Sequence, residues 1–181
     1  MLFSDGDEYN GAWVSNKMNG YGSLKIAGGG LYNGAFLDGK KHGKGTYTTV
    51  EGAVCEGNFD QDKVTGAAKV VLMNGCNFDG FFIDNLKTGG GKFTHQKGTY
   101  EGDFSEDLFD GLGDSNRLVL SNGRSYVGSF AGGKKSGKGV LSYADGSGFN
   151  GSFLDNQFHG NGSFVDKKNG KIYKVSRATK Y

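Results

Sequence analysis

One motif recurs along the whole chain and constrains what it can fold into. It is an aromatic residue, any residue, Gly, any residue and a second aromatic, followed by Gly-x-Gly. The first aromatic position is filled by Tyr9, Tyr32, Cys55, Phe78, Tyr100, Tyr126 and Phe149, with a last echo at Tyr173, at spacings of 23, 23, 23, 22, 26, 23 and 24 residues. Two residues on stand Gly11, Gly34, Gly57, Gly80, Gly102, Gly128 and Gly151, and two further on Trp13, Phe36, Phe59, Phe82, Phe104, Phe130 and Phe153. A fixed period of this length means a repeat architecture.

The spacing selects strand over helix. Residues at i, i+2 and i+4 share one face of a strand and scatter around a helix. The chain holds 35 Gly, each a poor helix-interior residue, and no Pro. Between the halves of each unit lie short polar turns, Ser15-Asn16, Asp38-Gly39, Asp60-Gln61-Asp62, Asp84-Asn85, Glu106-Asp107, Gly132-Gly133 and Asp155-Asn156. These residues tolerate the tight or left-handed backbone of a hairpin turn. Each unit therefore reads as a β-hairpin. Its Gly row leaves room for a large ring, expected to come from a neighbouring strand. One hairpin cannot bury its rings alone, whereas several in series can stack them.

The pattern resembles the MORN repeat (membrane occupation and recognition nexus), whose consensus runs Tyr-x-Gly-x-Trp/Phe, a turn, then His-Gly-x-Gly. Phe36 through His42-Gly43-Lys44-Gly45 and Phe153 through His159-Gly160-Asn161-Gly162 match best. Departures are Cys55 at the Tyr position, Ala68 at a Gly position, Phe for Trp in six units, and three extra residues near Ser115-Asn116-Arg117. The resemblance implies an all-β fold, an elongated single-layer twisted array of about seven tandem antiparallel hairpins with a C-terminal capping strand. It also implies a non-catalytic adaptor, since such arrays resemble parts of ciliary radial-spoke, cytoskeletal and membrane-junction proteins. Its family name records a proposed membrane role, and similar repeats precede methyltransferase and lipid kinase domains.

The expected units lie near 6–28, 30–50, 52–74, 75–97, 98–121, 123–144 and 146–169, with a partial strand at 170–175 and a basic tail at 176–181. In the fourth, Phe81 adjoins Phe82, so one ring must point away from the ladder. The tail reads as frayed, or helical if a partner holds it. Charge is asymmetric, −3 over residues 1–165 and +5 over 166–181. The start lacks a basic segment followed by an apolar one, and the two Cys suggest no disulfide framework. Cys55 reads as a small buried hydrophobe, and Cys76 shares a face with Phe78. A reducing compartment is expected, the cytoplasm, with cytoskeletal or membrane association.

Chemistry is hard to place on these residues. Gly132 to Gly139 nearly spells a phosphate loop, but Gly139 stands where Ser or Thr would hold the metal. Asp60-Gln61-Asp62 begins like a calcium loop, but Val64 and Thr65 break it. His42 and His159 share a repeat position five units apart, too far to meet at one metal. No catalytic residue, cofactor or metal is expected. The acidic body opposes nucleic acid. Glu56, Asp79, Glu101 and Asp103, with Lys44, Lys69, Lys92 and Lys138, read as a solvated face.

The expected function is therefore protein–protein interaction. The expected surface is the aromatic face, Trp13, Tyr32, Phe36, Phe78, Phe82, Tyr100, Phe104, Tyr126, Phe130 and Phe153, as a groove for a helix or extended peptide. Most rings are expected to be spent on their own packing, with Trp13, Phe36, Phe82 and Phe130 among those left part exposed. Open terminal strands also permit a homodimer. The alternative is anionic phospholipid bound by Lys167, Lys168, Lys171, Lys174, Arg177 and Lys180. A second alternative is a regulatory segment of a larger enzyme.

Overall fold

The computed structural model describes residues 1–177. The chain divides into two compact units, Met1–Leu86 and Lys87–Tyr181. The first holds β1 (Glu8–Val14), β2 (Lys17–Lys25), β3 (Gly30–Leu37), β4 (Lys40–Thr49), β5 (Val54–Asp60), β6 (Lys63–Val71) and β7 (Asn77–Ile83). Next come β8 (Leu86–His95), β9 (Gly98–Ser105), β10 (Leu108–Asp110), β11 (Arg117–Leu120), β12 (Ser125–Ala131), β13 (Lys134–Ser142), β14 (Gly148–Leu154), β15 (Gln157–Asp166) and β16 (Lys171–Arg177). In each unit successive strands pair antiparallel in chain order, save that β11 pairs with β9 and leaves β10 off the path, with no helix among the described residues. All-β hairpins are thus observed as expected.

The hairpin turns follow from their residues. Both central residues have positive φ at Ser15-Asn16, Asp38-Gly39, Gln61-Asp62, Asp84-Asn85, Glu106-Asp107, Gly132-Gly133 and Asp155-Asn156. That is the type I′ geometry, whose twist matches the flanking strands. The turns are tied to one another across repeats. Asp62 N donates to the Lys41 carbonyl at 3.1 Å, and Lys41 N donates back to Asp62 Oδ1 at 2.9 Å. The same reciprocal pair joins Asn85 to Val64, Asp107 to Lys87 and Asn156 to Lys135.

The two glycines of Gly-x-Gly do different work. The first, as at Gly43 (φ 62°), takes left-handed backbone where the register shifts between Gly34 and Phe36. The second makes room. A Cβ on Gly45 would stand 2.3 Å from the Tyr32 hydroxyl, and one on Gly34 2.5 Å from it. The covering ring thus lies over a Gly of its own strand and over the Gly paired with it. This corrects the expectation that the ring comes only from a neighbouring strand. A residue at i+2 lies on the same face, directly under a ring that leans along its strand.

The core is this ring ladder. Phe36 meets Tyr9 and Tyr32 edge-on, both at 5.1 Å, and Tyr32 meets Phe59 at 5.0 Å. In the second unit Phe130 lies edge-on to Tyr100 (5.2 Å) and Tyr126 (5.1 Å), and Tyr126 to Phe153 (5.0 Å). Such pairs contribute about 0.5–1.5 kcal/mol each beyond their burial. Tyr hydroxyls add bonds to the bulged backbone, from Tyr9 to the Ala12 carbonyl, Tyr32 to Ala35 and Tyr126 to Ser129. Burial pushes the Tyr32 and Tyr126 hydroxyls up to about 12.

The irregular copies are located as well. β9 pairs with β10 at one end and with β11 at the other, and between them Gly111 bridges to Phe130 before residues 112–116 leave the sheet. The extra residues near Ser115 are this loop. The capping strand pairs with β15 as expected, but runs to Arg177 rather than stopping at 175. Ser176 and Arg177 still find partners in Asn161 and Gly160.

Candidate interaction surfaces

The rings of the expected aromatic site are buried. Tyr32, Phe36, Phe78, Phe82, Tyr100, Phe104, Tyr126, Phe130 and Phe153 are all core residues, none more than 6% exposed. The expectation that Phe36, Phe82 and Phe130 stay part exposed is corrected. Each is held edge-on between rings or against its own, and the glycines let them sink onto the backbone. Trp13 is the exception at 37% exposed, lying at the end of the ladder against Tyr9 and Phe3. Of the adjacent pair, Phe82 is buried and Phe81 points away, 53% exposed, as alternation requires. Cys76 is buried beside Phe78 and Cys55 only half-buried, its thiol pushed up by burial against the opposing pull of Lys41.

The open surface of the first unit is the face opposite the rings. Register places Asn10 beside Ser23, Ser23 beside Asn33, Asn33 beside Thr46, Thr46 beside Glu56, Glu56 beside Lys69 and Lys69 beside Asp79. One polar row thus crosses seven strands, with neighbours about 4.8 Å apart. It lines a trough of about 950 Å³ whose floor includes Gly22, Gly34, Gly45 and Gly57. The floor is low because these positions have no side chain, and their covering rings lie on the other side. Tyr21, 73% exposed, stands in the wall. Four neutral hydrogen-bonding side chains occupy one half of the row and three charged ones the other.

Sequence reasoning read Glu56, Lys69 and Asp79 as a solvated face but missed the row to which they belong. The signal was available. The row takes the residue after each ring position and the residue after each second Gly, and hairpin register brings these into line.

The proposed lipid-binding lysines do not share one face. Lys171 pairs with Asp166 and Lys174 with Ser163, so alternation puts Lys171 on the ring side with Tyr173 and Lys174 on the other with Ile172. Lys167 lies over Gly146 in the connection between hairpins. Lys180 and the Arg177 side chain lie outside the described residues. The histidines are not gathered either; His42 Nδ1 lies 3.2 Å from Asp60 Oδ1, both half-exposed. Among the described residues no group of three or more His, Cys, Asp or Glu could hold a metal ion.

Tandem I′ hairpins, closed in the regular copies by a ring lying on two glycines, define a β-hairpin repeat protein. The MORN repeat model matches residues 9–31, 32–54, 100–114, 126–148 and 149–171, more than half of the chain, which belongs to the MORN repeat family. That is a non-catalytic repeat family, of a kind consistent with protein-interaction or membrane-binding modules. The chain is 43% identical over 65 residues to Alsin of Rattus norvegicus and to Alsin of Mus musculus, and 42% to Alsin of Homo sapiens. The match covers 35% of this chain and 4% of each of those much longer proteins. A solved structure described as the SAS-4 (dCPAP) TCP domain with a proline-rich motif of Ana2 (dSTIL) of Drosophila melanogaster aligns at TM-score 0.49 and 12% identity. That alignment covers 87% of this chain and 84% of that one, a likeness too distant to bear on function.

Proposed function

We propose that the chain is a non-catalytic protein-interaction module, a cytoplasmic adaptor in a larger cytoskeletal, ciliary or membrane-associated assembly. The observation that carries this reading is the trough of the first unit. It is a cleft of about 950 Å³ lined by a register-aligned polar row, on a sheet whose rings are already spent on its own core. Exposed donors and acceptors at regular spacing, with Tyr21 beside them, suit an extended partner segment laid across the strands. Family membership supports the same class of function. Peripheral lipid binding rests on Lys167, Lys168, Lys171 and Lys174 and is the weaker reading, because Lys171 and Lys174 occupy opposite faces.

The test is affinity capture from the source cell with mass spectrometry, using the full chain and an Asn33→Arg/Thr46→Arg variant that fills the trough. Stoichiometric proteins recovered by the parent and lost with the variant are expected. Identical recovery by both would remove the trough from the reading. Pelleting of the purified chain with phosphatidylserine vesicles at physiological salt, lost on truncation at Asp166, would replace it with the membrane reading.

A further inference from the structure

The second unit holds a cavity of another chemical character. It lies on the ring face, has a volume of about 560 Å³ and is floored by Leu118, Leu120 and Leu141. Two cations enter it. Lys135 is half-buried with Nζ 5.6 Å from the centre of the Tyr126 ring, and Arg124 stands at the mouth, its guanidinium 5.2 Å from the centre of Tyr143. No carboxylate lines the cavity. Among the described residues neither cation has an ion-pair partner, whereas the adjoining Lys134 pairs with Asp155 at 3.0 Å. The neighbours Lys134 and Lys135 therefore differ in kind: one is neutralised along the turn edge, the other is not. Burial, then the charge of Arg124, holds the Lys135 ammonium below its ordinary range, the mark of cations gathered without a counter-ion.

The second cation is peculiar to this repeat. Two residues before each ring position stand Asp7, Gly30, Ala53, Cys76, Gly98, Arg124 and Ser147. Lys41 occupies the position corresponding to Lys135 and lies over Tyr47 and Tyr32 (4.7 and 5.6 Å), but Gly30 and Ala53 supply no second cation beside it. Beyond its contact with the Tyr143 ring, neither the ring ladder nor the turns call for Arg124.

An uncompensated cation pair above an apolar floor is complementary to an anion carried on an apolar body. The rim adds neutral donors. Asn156 Oδ1 already accepts from Lys135 N at 2.9 Å, so its amide N–H groups are its remaining polar capacity, and Gln157 and Ser125 line the cavity with it. Such donors match main-chain carbonyls. We propose that this cavity docks an acidic partner segment, whose Asp or Glu carboxylate sits between Arg124 and Lys135 while an adjoining bulky apolar side chain rests on Leu118, Leu120 and Leu141. The inference deepens the interaction reading and rests on it. It names a second surface, separate from the trough, and the chemistry of what binds there.

The experiment selects random phage-displayed peptides on the purified full chain and measures enriched members, made synthetically with a fluorescein label, by anisotropy. Enriched peptides are expected to carry Asp or Glu next to Leu, Ile or Phe. Arg124→Gln with Lys135→Met should weaken them about 30-fold or more, and charge reversal to Glu at both positions should turn the selection toward basic peptides. The trough variant Asn33→Arg/Thr46→Arg should bind the same peptides unchanged, and circular dichroism checks that every variant is folded. Peptides without acidic residues, no enrichment at all, or indifference to the paired substitution would overturn the proposal. So would displacement of every enriched peptide by micromolar dodecanoate, which would assign the cavity to a small amphiphilic anion. If the trough variant loses its cellular partners while no acidic peptide is selected, this inference falls and the adaptor reading stands.

Discussion

Ala68 carries a methyl group where its counterparts are Gly, and Cys55 stands where they have a ring above it. In the second repeat a Cβ on Gly45 would lie 2.3 Å from the Tyr32 hydroxyl. In the third the ring is gone, the Ala68 methyl is buried, and it fills the place so fully that a Cβ on Gly57 would meet it at 2.3 Å. The two departures from the repeat are one compensated change. Cys55→Tyr alone should destabilise the protein by about 1–3 kcal/mol through overpacking. Ala68→Gly alone should cost up to about 1 kcal/mol in lost packing and added chain entropy. Together they should recover most of the loss, giving a coupling of about 1 kcal/mol or more in a urea-unfolding double-mutant cycle. Additive effects would show that the two sites are independent.

Much of this was legible beforehand for a definite reason. The alternation of Tyr32, Gly34 and Phe36 fixes which face is buried, and Asp84-Asn85 or Asp155-Asn156 fixes the turn. Both are local properties. What could not be read was how deep the rings sit. Phe130 was expected to stay part exposed, yet edge-on contacts with Tyr100 and Tyr126 enclose it. Depth depends on how neighbouring repeats close over one another. The same holds for the polar row from Asn10 to Asp79, whose members are ordinary singly and form a surface only through register across seven strands.

Turn-to-turn bonding predicts a stabilising substitution. Gly39 N donates to the Met18 carbonyl at 2.9 Å, the backbone half of the pair that Asp62 makes with Lys41. Gly39 has no side chain to accept from Met18 N in return. Its φ of 85° lies close to the 73° of Asn85, which makes both bonds with Val64. Gly39→Asn should therefore raise stability by about 0.5–1 kcal/mol, from the added bond and the stiffer unfolded chain. Gly133→Asn, facing Phe109, should behave alike. Thermal unfolding of both variants checks this, and a lowered midpoint would mean that the side chain cannot reach.

Asn116 is the polar anchor of the interrupted repeat. Its side chain is fully buried, and Oδ1 accepts from Asp103 N at 2.8 Å and from the Tyr100 hydroxyl at 3.1 Å. It stands where residues 112–116 rejoin the sheet at Arg117. Asn116→Ala would leave a buried amide N–H without an acceptor, at about 1–3 kcal/mol. Hydrogen exchange should localise the damage, with protection lost at Asp103 and along β11 and retained in β14 and β15. Even loss across the whole second unit would mean that the loop is part of its core.

Asp107 sets a stability change on the acid side. Burial would raise its pKa, but bonds from Lys87 Nζ (2.8 Å) and Lys87 N (3.0 Å), with the charge of Lys87, hold the carboxyl below its usual range. A depressed folded pKa contributes stability that is fully present above the unfolded value of about 3.9 and is lost as pH falls through the folded one. The side chain is 41% exposed, so the ion pair is worth at most about 1 kcal/mol. Asp107→Asn keeps the turn bond, as Asn85 and Asn156 do in their repeats, and removes only the charge. The variant should be slightly less stable than the parent at pH 7, and the gap should close below about pH 4. Denaturant midpoints taken from pH 7 down to pH 2.5 test it. A gap that stays constant with pH would place the difference in the turn geometry and not in the charge.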